Sequence, residues 1–281
     1  MAHALRITSL YRSVAPWRPA VAWIWLASAI VLVSAGISHG QAAGTRGALA
    51  VFLAWAIVRE IAPRRLAPAL LVPFLAVAFA IPADTDVLAC FGVLVAARIA
   101  ARSVGDPPTV LDIVLLVPFA GWLATRPAGL TVAIVLAAVV FVQQPHRARE
   151  RIGGLLMLAT ALVVGSTEGT LTVRPGWDDH AVGAHVLLGL AALSAIVLLV
   201  WPLPAQLRAR DDRGRGPLRG GRIRVARIAV VAAVAAATCW IGSSAVFALS
   251  SASAAVVATA VAGAGARRAS DTLADKEDAR P

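Results

Sequence analysis

The side chains able to do chemistry fall into three groups. The first is a set of arginines and acids carried by two neighbouring segments: Arg59, Glu60, Arg64, Arg65, Arg98, Arg102, Asp106 and Asp112. Guanidinium forks match the geometry of phosphates and carboxylates, so arginines from two adjacent hairpins suit an anionic group such as a lipid phosphate. Arg59 and Glu60 are the pair of most interest, because they lie against a long apolar run where charge is expensive. Asp112 is the deepest acid of the chain, yet Thr109-Val110-Leu111-Asp112 has the spacing of a helix capping box.

The second group is Trp177-Asp178-Asp179-His180, with His185 five residues beyond His180. Two carboxylates at the head of a helix complement its dipole. His185 lies more than a turn into the next apolar run, which makes it a candidate for proton or cation handling with Asp178 or Asp179. A spacing of five keeps His180 and His185 off one helix face, which argues against a two-histidine metal or haem site.

The third group is eight arginines between Arg208 and Arg227, set among glycines and balanced only by Asp211 and Asp212. It reads as a flexible polybasic linker drawn to anionic lipid headgroups. Without aromatic or structured partners it does not read as a nucleic-acid site. Walker, H-E-x-x-H and G-x-S-x-G patterns are all missing, so the sequence offers no catalytic centre, metal site or cofactor. Cys90 and Cys239, both in apolar runs, read as small buried hydrophobes.

The composition says what must position these groups. Of 281 residues, 59% are hydrophobic and 15% charged, with a mean hydropathy of +0.79. Soluble domains hold about 45–50% apolar and about 25% charged residues. Soluble, disordered and disulfide-stapled classes are thereby excluded, leaving an all-α integral membrane protein.

Apolar runs that approach the ~20 residues of a spanning helix begin at about Ala20 to Ile37. They continue at about 47–62, 66–82, 87–101, 109–125, 129–143, 152–166, 181–201, 226–243 and 246–265. The first run, preceded by Arg6, Arg12 and Arg18, reads as an uncleaved signal-anchor. Ten spans with both termini cytoplasmic place 23 Lys and Arg inside and only Arg46, Arg126 and Arg174 outside, as the positive-inside rule requires. Five segments follow: a cytoplasmic head at 1–18, an eight-span bundle at 19–201 and an Arg-rich linker at 202–225. A small-residue hairpin at 226–266 and a disordered tail at 267–281 complete the chain.

Leu70-Leu71-Val72-Pro73-Phe74 recurs as Leu115-Leu116-Val117-Pro118-Phe119, which hints at a repeated two-helix unit of the kind transporters carry. A proline inside a span frees a carbonyl, so Pro73 and Pro118 are expected to face a cavity or a neighbouring helix. The 246–265 run is rich in Ala, Ser and Gly, which favours close packing inside the bundle or in a homo- or hetero-oligomer. In outline the chain resembles drug/metabolite-type exporters, although those are built as two five-helix halves and the long linker here follows the eighth run.

The sequence therefore reads as a transport-type or transport-associated, permease-like protein of a bacterial plasma membrane. The alternatives are a membrane enzyme acting on lipid-linked substrates at the cytoplasmic arginines and a non-catalytic assembly subunit.

Overall fold

The computed structural model describes residues 19–63, 66–80, 85–103, 108–142, 148–172, 182–200, 206–210 and 217–263. Eight helices come first: α1 (Pro19–His39), α2 (Gln41–Ile61), α3 (Leu66–Ala80), α4 (Val87–Ala101), α5 (Val110–Ala124), α6 (Pro127–Phe141), α7 (Ala148–Thr167) and α8 (Val182–Val200). An antiparallel pair, β1 (Gln206–Arg210) and β2 (Pro217–Arg219), leads into α9 (Gly220–Ile241), α10 (Ser244–Ala248) and α11 (Ser250–Gly263). Apart from that small hairpin the described fold is helical. By length and composition α2, α7 and α9 are long and apolar enough to cross a membrane. Shorter apolar helices fill the remaining runs.

Local chemistry sets the helix ends. The capping box forms as its spacing predicts. The Thr109 backbone N–H donates to Asp112 Oδ2 at 2.7 Å, and the Asp112 N–H donates back to Thr109 Oγ1 at 3.2 Å. Asp86 caps α4 by accepting from the Ala89 N–H at 3.0 Å. Pro127 opens α6 at a position where its missing N–H costs nothing. At the other end of α9, Gly242 takes φ 79°, and with Ser243 it turns the chain into α10. The apolar stretch after 226 is thus two arms rather than one long helix. Leu249 (φ −99°, ψ 38°) then separates α10 from α11.

The bundle has an inside and an outside. Eleven of the fifteen residues of α4 are buried, against six of twenty in α7, which puts α4 in the core and α7 on the rim. The innermost element is α11, every residue of which from Ser250 to Ala260 is buried within the chain itself. Its small side chains therefore meet the protein's own helices: Ser251 Oγ donates to the Ala50 carbonyl of α2 at 2.9 Å. Close approach also joins α7 to α6, where a Cβ on Gly154 would lie 2.8 Å from the Ala137 carbonyl oxygen. The outward faces of α5, α7 and α8 carry Val114, Leu115, Leu155, Val163, Leu193 and Ile196, all exposed. Apolar surface on that scale is a liability in water and is suited to hydrocarbon.

Polar contacts between elements sort into two ends. At one, Arg98 pairs with Glu60, and Arg227 donates to the Ile61 and Leu198 carbonyls at 3.0 and 3.4 Å. At the other, Arg126 pairs with Asp86, Thr85 bonds Ser250, Thr170 donates to the Ala124 carbonyl, and Trp240 donates to the Thr170 carbonyl. The first group lies at the end of the bundle where α4 finishes, and the second at the end where α4 starts.

Within the 202–225 linker lie the β1–β2 pair and the start of α9. Two expectations are corrected. Cys239 is exposed and only Cys90 is buried; α9 turns its Cys239 side outward while Ala233 and Ala237 face the core. Pro73 is buried inside α3 as expected, but Pro118 is exposed on α5. The two five-residue copies therefore occupy different environments, since Leu71 is exposed where its counterpart Leu116 is buried.

Candidate functional site: a groove with charged ends

A cleft of about 770 Å³ runs along α2 and α4. On α2, Arg46, Leu49, Leu53, Ala56 and Glu60 recur at three and four residues, so one helix face lines the cleft from end to end. Val87, Phe91, Leu94 and Arg98 do the same on α4, while Trp122 and Arg126 close the side near the start of α6. The middle of the wall is apolar and the ends are charged.

At the arginine-rich end, Arg98 Nε lies 3.2 Å from Glu60 Oε1; the Glu60 side chain is fully buried and that of Arg98 is 20% exposed. Burying a carboxylate is tolerable only when a cation and hydrogen bonds accompany it. Beside this pair the Arg59 guanidinium sits 5.2 Å from the centre of the Trp55 ring, within range of a cation–π contact. At the opposite end Arg126 Nη1 lies 3.0 Å from Asp86 Oδ1, with side chains 51% and 12% exposed. Arg46 stands on that end of α2, its Nε donating to the Ala42 carbonyl.

Arg59, Glu60 and Arg98, singled out in the sequence, are therefore brought together. Asp112 is not among them: it is fully buried and, as the third residue of α5, completes the capping box with Thr109. Arg102 is likewise buried, at the left-handed end of α4 (φ 48°). His185 falls within α8, but its side chain, like Asp178, Asp179 and His180, lies outside the described residues, as do Arg64, Arg65 and Asp106. Among the described residues no three His, Cys, Asp or Glu side chains gather as a metal ion would need. A second cavity, about 200 Å³ between α8, α9 and α11, is lined by Ala191, Val234, Cys239 and Val256 and offers little chemistry.

Two features escaped the sequence reading. Arg227, taken as a loop residue, is 2% exposed in α9 and braces the ends of two other helices through its hydrogen bonds. Its position in step with Ile223 and Val230, both buried, was the available signal. Arg46 was likewise read as loop, because α2 begins six residues before its apolar run.

Compared with protein-family models, curated proteins and solved structures, the chain matches none.

Proposed function

We propose that this chain is a ten-span, permease-like protein of a bacterial plasma membrane, with both termini cytoplasmic and the α2–α4 groove as its ligand path. The observation that carries the reading is the groove itself, an apolar channel wall with a charged station at each end. The threading is supported by the 23-to-3 division of basic residues and by the sorting of inter-helix polar contacts into two ends. In this arrangement the basic stretch between Arg208 and Arg227 lies on the cytoplasmic side, where its exposed arginines meet anionic headgroups.

Two measurements test the proposal. In a background lacking Cys90 and Cys239, a membrane-impermeant thiol reagent is expected to label Arg126→Cys only from outside and Arg224→Cys only after permeabilisation. Paired lipid and metabolite profiles of a deletion strain should show a compound retained on one side of the membrane. Wild-type complementation restores the profile, and Arg59→Gln at equal protein level does not. Unchanged profiles overturn the transport reading. A chemically immature lipid intermediate would replace it with the enzyme alternative at the same arginines.

A further inference from the structure

The space between α8, α9 and α11 is a binding site of another kind, and we infer that it takes a compact apolar ligand the size of an alkylated aromatic ring. Its volume is about 200 Å³, and it shares no lining residue with the α2–α4 groove. Ser253 and Val256 of the innermost helix, 0% and 2% exposed, form its floor, and the exposed Cys239 stands at its mouth. The space exists because alanines face it: Ala191 and Ala195 of α8 and Ala235 of α9 carry too little side chain to fill the gap. Protein interiors are close-packed and seldom leave voids larger than a water molecule, because unfilled volume forfeits contacts along its walls. A gap of this size between three helices is one that an occupant stabilises.

The lining decides what that occupant is. Two hydroxyl side chains reach the space, and both are already engaged. Thr238 Oγ1 donates to the Val234 carbonyl at 2.8 Å, and Ser253 Oγ donates to the Val246 carbonyl at 3.1 Å. The remaining side-chain heteroatom, the Cys239 thiol, is a weak donor. A water held here would need about two to four polar partners, which these walls do not supply. A charged or hydrogen-bonding solute would likewise leave its polar groups unanswered. The ligand is therefore a hydrocarbon or a compound of similar polarity. An apolar cavity of about 150 Å³ takes benzene, so one of about 200 Å³ has room for a ring bearing one or two further carbons. Molecules of that kind collect in hydrocarbon rather than in water, so a bilayer would supply them.

The test uses the full chain in detergent, with toluene as the probe and N-ethylmaleimide labelling as the readout. Cys90 is fully buried, so the folded chain reports through Cys239. Toluene at twice its dissociation constant should slow the labelling of Cys239 about threefold and raise the unfolding midpoint. Ala191→Leu and Ala195→Leu, which fill the space from α8, should each abolish both effects. Val256→Ala, which deepens the floor, should lower the midpoint, and toluene should restore part of that loss. Labelling and midpoint both indifferent to toluene, the result expected where a detergent or lipid tail already fills the space, would overturn the inference. Equal protection of Cys239 in both leucine variants would do so as well, since toluene would then be acting through the micelle. Neither readout involves flux, so the transport reading stands or falls separately.

Discussion

Two ion pairs of the same chemistry close the two ends of one groove, and they are built in opposite ways. Glu60 and Arg98 meet inside the bundle, with the carboxylate fully buried. Asp86 and Arg126 meet at the surface, where half of the arginine side chain is open. The attraction between unit charges is weak in water and strong in a low-dielectric interior, but so is the penalty for leaving one of them alone. The buried pair is thus a commitment of the fold, while the exposed pair is free to break and re-form. The two ends of the groove therefore differ in how firmly their own charged side chains are held.

The largest effect should come from breaking the buried pair on one side only. Arg98→Met leaves Glu60 without its guanidinium and is expected to cost about 3–5 kcal/mol, read by thermal unfolding in detergent. Replacing both partners, Glu60→Gln with Arg98→Met, should recover most of the loss. If Arg98→Met proved as mild as any change at Arg126, the contrast between the two ends would collapse.

Next in size is Arg227→Leu, which removes the charged donor to the Ile61 and Leu198 carbonyls. About 2 kcal/mol is expected from hydrogen bonds made by a charged group, again as a fall in unfolding midpoint. At the exposed end Asp86→Ala should cost about 1 kcal/mol, chiefly as the lost cap of α4 rather than as a lost ion pair. Arg126→Gln should cost less than about 1 kcal/mol, and that small loss should shrink further in high salt. A larger loss from Arg126→Gln than from Asp86→Ala would mean that the surface pair, not the cap, holds this end together.

These contrasts also show what could be read before the fold was known. The positions of the helices were legible, because an apolar run with a charged or glycine-containing break at each end leaves the backbone little choice but a helix. The Thr109–Asp112 cap was legible for the same local reason. Arg59, Glu60 and Arg98 stood out because charges beside apolar runs are costly and need partners. What escaped was decided by neighbours far along the chain. The sequence around Arg227 resembles its seven arginine companions in composition; only the phase of Ile223 and Val230, fixed once α9 begins at Gly220, turns Arg227 inward. Pro118 shares four flanking letters with Pro73, yet α5 and α3 present different faces, so identical letters met different surroundings. The groove was invisible because Phe91 and Leu49 look like any other apolar residues until α2 and α4 stand side by side.

The placement of α11 has a consequence for how the molecule comes into being. The helix most completely enclosed by the bundle is also the one synthesised after all those that enclose it. Ser251 reaches back 201 positions to the Ala50 carbonyl, and Ser250 reaches back 165 to Thr85. As the chain emerges, α2, α4 and α9 are made before their common centre exists. Until α11 is made, the hydroxyl of Thr85 lacks its Ser250 partner and the helix faces that pack on α11 have nothing to meet. The core of the bundle therefore closes only once α11 is present, and that long-range packing should be slower than the making of any one helix.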